Sequence, residues 1–214
     1  MIDHIDQIPS NKSILIISSA RTGSTALCNL IERKKNIECF YEIFNKQFQK
    51  KSQEQFWEYV NSNKLWSCKI FPGLVADYQI NQKPVILQCH DRDVDPNTFD
   101  ILSSNSNVYL LKRRNIAKQM ASSYIMYKTD RTHYTKDQTV NEYSVDINDI
   151  KMRSIIKWIL NTSNQAEKFR NYVEDVIYYE DIKHCFVGLN SVETVNPVNY
   201  DEIVYEIEKR LKDY

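Results

Sequence analysis

Hydrophobic residues along this chain fall into two patterns: short unbroken runs, and longer stretches in which they recur every three or four positions. Ile14, Leu15, Ile16 and Ile17, bounded by Ser13 and Ser18, form a run too short for a typical helix and suited to a buried parallel strand. It is expected at the centre of a sheet. Leu27, Leu30, Ile31 and Lys34 then recur at helical spacing. Residues 36–44 (NIECFYEIF) read as a second strand, with Glu42 near its C-terminal end. Residues 53–60 read as a helix with Phe56, Trp57 and Val60 on one face. Residues 65–71 and 84–90 are further strands, ending near Lys69 and His90. Asp95 and Pro96 look like a helix cap followed by proline in the first turn, opening a short helix through Phe99, Ile101 and Leu102. A strand over 107–112 leads into a helix carrying Ile116, Met120, Tyr124 and Tyr127. The segment 129–149 is polar and without a periodic face, and reads either as a long loop folding over a site or as a disordered stretch. Ile155, Trp158, Ile159, Ala166 and Phe169 give 149–173 a helical pattern, 174–180 reads as the last strand, and Tyr200–Leu211 closes the chain as an amphipathic helix. Strands alternating with helices predict an α/β fold of three layers, a central, mostly parallel sheet flanked by helices.

Composition narrows the picture. At 214 residues, 42% hydrophobic, the chain can bury one sizeable core, and with no Pro/Gly/Ser-rich linker it is expected to be a single domain over 1–214. The 28 basic residues balance the 28 acidic ones, so no global field attracts nucleic acid or an anionic membrane, and any anion site must be built locally. Cys28, Cys39, Cys68, Cys89 and Cys185 form no C-x-x-C pair, and a reducing compartment fits them best. The polar start MIDHIDQIPSNK lacks the apolar core of a signal peptide, and no apolar stretch reaches the roughly 20 residues of a membrane span. A cytoplasmic location is expected, while the oligomeric state is not legible.

The chemistry concentrates after the first strand, where Ser18-Ser19-Ala20-Arg21-Thr22-Gly23-Ser24-Thr25 passes into a helix. A glycine that lets the backbone turn tightly, N–H groups aimed into one concavity, the hydroxyls of Ser24 and Thr25 and the charge of Arg21 together make an oxyanion cradle. It is not G-x-x-x-x-G-K-[ST], because the cation here precedes the one glycine. Farther on, Arg114 leaves a strand and Ser122 stands eight residues later on the following helix, where an arginine fork and a hydroxyl can converge on one phosphate. Taken singly, Arg113 and Arg114 also read as a solvated basic turn and Ser122 as a helix-packing residue.

Residues Arg21 to Thr25 resemble the 5′-phosphosulfate loop of sulfotransferases that use 3′-phosphoadenosine 5′-phosphosulfate (PAPS), in which a strand runs into [K/R]-[S/T]-G-[S/T]-T and a helix. Arg114, Asn115 and Ser122 resemble the motif with which that family binds the 3′-phosphate, and Gln119 and Ala121 look like its version in bacterial carbohydrate and lipid sulfotransferases. Tyr179-Glu180-Asp181 resembles the Tyr-Glu-Asp whose tyrosine approaches the adenine. The resemblance implies a P-loop NTPase-like sulfotransferase fold and transfer of a sulfuryl group from PAPS to a hydroxyl or amine of a carbohydrate or small molecule. It also implies release of 3′-phosphoadenosine 5′-phosphate (PAP) without a metal. Arg21, Thr22, Gly23, Ser24, Thr25, Arg114, Ser122 and Tyr179 would hold the nucleotide. The Arg-Lys-Gly that grips the 3′-phosphate in cytosolic members has no counterpart here, leaving another cation such as Arg113 to replace it.

For the base that takes the acceptor proton, Glu42 and His90 compete. Glu42 resembles the glutamate base of several carbohydrate and tyrosine sulfotransferases, and the surrounding Phe40, Tyr41, Ile43 and Phe44 suit it to that work. His90 resembles in placement the histidine of cytosolic members, but a charged turn, Asp91-Arg92-Asp93, follows it. Glu42 is preferred, with Lys69 as a second cation on the sulfuryl group. Two other readings stay open: a divergent P-loop nucleotide kinase with Asp91 as its acidic metal-binding residue, and a module that binds PAP or another nucleotide without transfer.

Overall fold

The computed structural model describes residues 5–9, 11–40, 84–90, 96–104, 106–129, 143–147, 150–186 and 197–214. Five strands, β1 (Ser13–Ser18), β2 (Glu38–Phe40), β3 (Val85–His90), β4 (Ser106–Lys112) and β5 (Asp175–Tyr178), form one parallel sheet in the order β2-β3-β1-β4-β5. The helices are α1 (Ser24–Lys35), α2 (Pro96–Ser103), α3 (Ile116–Thr129), α4 (Ile150–Glu167), the single turn α5 (Tyr179–Ile182) and α6 (Tyr200–Leu211).

The unbroken apolar run of β1 follows from its place at the centre of the sheet, covered on both faces. Leu15 and Ile17 join Leu87, Val108 and Leu110 beneath Phe99 and Leu102 of α2 and Ala166 of α4. Ile14 and Ile16 face the other way, onto Leu27, Leu30 and Ile31 of α1. All four of these β1 side chains are fully buried, and each contributes about 1.5–3 kcal/mol of transfer free energy. A third cluster joins Met120 and Tyr124 of α3, Met152, Ile156 and Ile159 of α4, and Ile203 and Ile207 of α6. The fold is therefore the three-layer α/β architecture that the alternation of elements predicts.

Boundaries differ where pairing or local bonding ends an element early. The strand expected over 174–180 is β5, which stops at Tyr178, the last residue in register with β4 opposite Lys112. Tyr179 then opens α5. The helical pattern over 149–173 resolves into α4 and a 3₁₀ turn, Arg170–Tyr172, which sets the Phe169 ring 5.1 Å from that of Phe99. Within the expected loop 129–149, Val145 is buried against the third cluster, and the Asn199 side chain donates to its carbonyl at 2.8 Å and accepts from its N–H at 3.1 Å. The helix expected over 53–60 and the strand over 65–71 lie outside the described residues, as does the part of the second strand beyond Phe40. No helix among the described residues is long and apolar enough to cross a membrane.

The strand order also fixes where a site belongs. The chain leaves β1 toward β2 on one side of the sheet and leaves β4 toward β5 on the other, so the crevice at the carboxyl ends of these two neighbours is the topological switch point. The loops that follow β1 and β4 both open there.

Candidate functional site

The loop from β1 to α1 is bent by two left-handed residues, Arg21 at φ 63° and Gly23 at φ 93°. A non-glycine residue in that region stores strain of about 1–3 kcal/mol, which the surroundings must hold in place. The buried Thr22 hydroxyl closes the turn by donating to the Ser19 carbonyl at 2.9 Å. Gly23 is the N-cap of α1, and with no side chain it offers no capping oxygen; the first intrahelical bond runs from Leu27 N–H to its carbonyl at 3.0 Å. The first-turn N–H groups thus have no capping side chain. The Tyr179 ring lies against this glycine: a Cβ there would come within 2.6 Å of Tyr179 Cδ2.

Two buried glutamines hold the loop from below. Gln119 of α3 donates from Nε2 to Ser19 Oγ at 2.9 Å and to the Ala20 carbonyl at 2.7 Å. Because a carbonyl can only accept, the Ala20 contact fixes which way the amide points. Gln88 of β3 donates to Ser24 Oγ at 3.2 Å, which leaves the Ser24 proton to be given to something else. Arg21 donates from Nε to Ser122 Oγ at 3.1 Å, so the loop is also tied to α3 across the switch point. Ser18 Oγ is buried and makes no hydrogen bond among the described residues. His90 Nδ1 stands 3.3 Å from the Ser18 carbonyl; that nitrogen is the donor, and in the neutral ring Nε2 is the basic one.

The parallel turn from β4 to α3 is closed differently. Asn115 caps α3 by accepting from Lys118 N–H at 2.9 Å, and Glu180 accepts from the N–H groups of Arg114 at 3.0 Å and Asn115 at 3.2 Å. Burial pushes the Glu180 carboxyl up, but the N–H groups of Arg114 and Asn115, its own N–H and the charge of Arg113 outweigh it and hold the group below its ordinary pKa. The Arg114 guanidinium forks onto both oxygens of Asp181, 2.7 Å on one arm, and lies over the Tyr178 ring at 4.1 Å. Hydrogen bonding to Asp181 raises the Arg114 pKa further. Arg113 lies over the Tyr179 ring at 4.2 Å, with its Nε buried and without a hydrogen bond among the described residues, and Phe186 sits 5.8 Å from the same ring.

The residues expected to hold a nucleotide are therefore gathered at one crevice, with different partners from those foreseen. Arg21 meets Ser122, Gly23 meets Tyr179, and Thr22 turns its hydroxyl inward. Ser24 is buried and Thr25 half-buried in the first turn of α1. Arg114 and Ser122, expected to converge, stand on separate partners, Asp181 and Arg21. Glu42, Lys69 and Asp91 lie outside the described residues, so His90 is the acid-base candidate whose surroundings are seen. Sequence reading passed over Gln88, and took Glu180 and Asp181 only as part of the Tyr-Glu-Asp motif, not as partners of Arg114. Gln88 had a signal: a lone amide inside the apolar run VILQCH must find a buried partner. Among the described residues no group of three His, Cys, Asp or Glu side chains is arranged to hold a metal ion.

No protein-family model matches the chain, and no curated protein matches it. Among solved structures it is similar to shikimate kinase from Bacteroides thetaiotaomicron, at 11% identity and a TM-score of 0.49 over 94% of this chain and 98% of that one. It is also similar to a gluconokinase from Sinorhizobium meliloti 1021, at 11% identity and a TM-score of 0.42 over 95% of this chain and 93% of that one. A mouse sulfotransferase complexed with PAP matches at 11% identity and a TM-score of 0.44 over 96% of this chain and 69% of that one. At these values the likenesses do not separate kinase from sulfotransferase.

Proposed function

We propose that the chain is a sulfotransferase that moves a sulfuryl group from PAPS to a hydroxyl or amine of a small-molecule or carbohydrate acceptor. The observation that carries the reading is the junction across the switch point: left-handed Arg21, bonded to Ser122 at 3.1 Å, beside a glycine-capped helix start. The groups around it fit an anionic donor. Gly23 has no Cβ, Ser24 has a proton to give, and the buried Ser18 Oγ lacks a partner among the described residues.

The donor supplies an activated sulfuryl group carried on a phosphate oxygen. Arg21 would stabilise charge gathering on that oxygen as its bond to sulfur breaks, with the electron pair staying on the phosphate. Ser24, Thr25 and the first-turn N–H groups would hold the phosphate, and Ser122 would orient Arg21 and share the second phosphate with its neighbours. As the acceptor oxygen or nitrogen bonds to sulfur, its proton would pass to Glu42, the preferred base, with His90 as its rival and Lys69 as a second cation. Comparing Glu42→Gln with His90→Ala at saturating PAPS decides between them. The expected result is the larger loss of turnover in Glu42→Gln, and the reverse order would assign the base to His90.

The direct test is release of PAP from PAPS across an acceptor panel, in the presence of EDTA. Acceptor-dependent release is expected. Consumption of ATP abolished by EDTA would establish the kinase reading instead, and thermal stabilisation by PAP without turnover on any acceptor would establish the binding module.

A further inference from the structure

We infer that the adjacent arginines of the β4–α3 turn divide their work: Arg114 is a structural staple, and Arg113 is the cation that meets a second phosphate of a nucleotide held at the β1–α1 loop. This rests on the loop being an anion site, as proposed above, and reverses the assignment that resemblance alone would make.

Arg114 is committed. Its guanidinium forks onto both Asp181 oxygens and stacks on Tyr178, while its backbone N–H is held by Glu180. Moving it to a phosphate would break both arms of that fork and the stack on Tyr178. Arg113 carries the same charge, and its buried Nε has no hydrogen-bond partner among the described residues. The nearby carboxylate of Glu180 is occupied by the N–H groups of Arg114 and Asn115, so it lowers the potential around Arg113 without capturing its fork. Tyr200 also faces Arg113 and Tyr179 electrostatically, and being neutral near pH 7 it does not compete for the charge. Position completes the argument. The Arg113 guanidinium rests on the Tyr179 ring, and that ring touches Gly23 of the loop, so one aromatic ring separates this cation from the loop glycine. A nucleotide with one phosphate in the loop, its base or sugar beside Tyr179 and a further phosphate beyond would reach the Arg113 fork, which is suited to two phosphate oxygens at once.

The test is calorimetric titration of the full chain, wild type and the variants Arg113→Gln, Arg113→Lys and Arg114→Gln, with PAP and with 5′-AMP, alongside melting temperatures. For Arg113→Gln we expect PAP to bind about 30-fold more weakly while 5′-AMP changes by less than about 3-fold, with little change in melting temperature. Arg113→Lys, which keeps the charge without the fork, should fall between. Arg114→Gln should melt earlier and still bind PAP within about 3-fold of wild type. Loss of PAP binding in Arg114→Gln with Arg113→Gln unchanged overturns the inference, and so does equal loss of PAP and 5′-AMP in Arg113→Gln, which would put Arg113 on the loop phosphate. If wild type ignores PAP but binds Mg-ATP, the transfer reading falls, and the same series with Mg-ATP against Mg-free AMP decides the arginines. If PAP, 5′-AMP and Mg-ATP all fail to bind wild type, the inference falls.

Discussion

Two strand-to-helix turns stand side by side at the switch point, and the chain finishes them in opposite ways. The β4–α3 turn is self-sufficient: Asn115 caps the helix, Glu180 takes two more backbone N–H groups, and Asp181 neutralises Arg114. The β1–α1 turn is held firmly from beneath by Gln88 and Gln119, yet its upper side has a glycine cap and a strained arginine. A glycine cap costs a helix only a few tenths of a kcal/mol relative to Ser, Thr, Asp or Asn, and it leaves the first-turn N–H groups without a side-chain acceptor. Under the proposed function, this difference suits the β1–α1 turn to an outside anion, with the β4–α3 turn as its scaffold and Arg113 as the cation it would offer the ligand.

The hardest blow to this contrast is Gly23→Ala. A left-handed alanine costs about 1–2 kcal/mol from the backbone alone, and its Cβ would also have to move the Tyr179 ring from 2.6 Å. We expect a lower melting temperature together with loss of PAP binding, whereas unchanged binding would mean that the turn has no need of its glycine. Gln119→Leu comes next, because it leaves the Ala20 carbonyl without its buried donor, at about 1–3 kcal/mol by denaturant titration. Gln88→Leu should cost less, since it removes the donor of one hydroxyl oxygen, Ser24 Oγ, which can still bond through its own proton, whereas Gln119 serves two acceptors. If the order of these two is reversed, the loop is hung chiefly from β3 rather than from α3.

Effects on the other turn should be smaller and of another kind. Asp181→Asn removes an exposed ion pair, a small loss of stability that should shrink in high salt. Glu180 gives the pH signature. Its folded pKa is depressed, so its contribution is fully present above the ordinary carboxylate value of about 4.3 and fades as pH falls through the lower folded value. Stability measured from pH 6 down to 3 should therefore fall less steeply in Glu180→Gln than in wild type, and identical slopes would remove Glu180 from its place on the β4–α3 turn.

Legibility in the sequence followed the range of the interaction that decides each feature. β1 and α1 were readable because a four-residue apolar run and an i, i+3, i+4 pattern are local signals, and their order placed the cradle between them. The end of β5 was not, since a strand ends where its neighbour stops pairing, and Tyr178 meets the last residue of β4 from 66 positions away, 178 less 112. Arg113 and Arg114 look interchangeable in a string. Only the fold sets Asp181 beneath one and Tyr179 beneath the other. Gln88 carried a readable warning, a polar residue in an apolar strand, but its partner Ser24 lies 64 residues earlier and needed the β1–β3 register to be found.

The measurement that bears most directly on the central claim is a titration of PAP in EDTA against wild type and Arg21→Ala. If the β1–α1 turn is a phosphosulfate loop with Arg21 as its cation, wild type binds PAP saturably without a metal, and Arg21→Ala binds it at least about 10-fold more weakly. Equal binding by the two proteins, or binding of Mg-ATP by a wild type that ignores PAP, would contradict it.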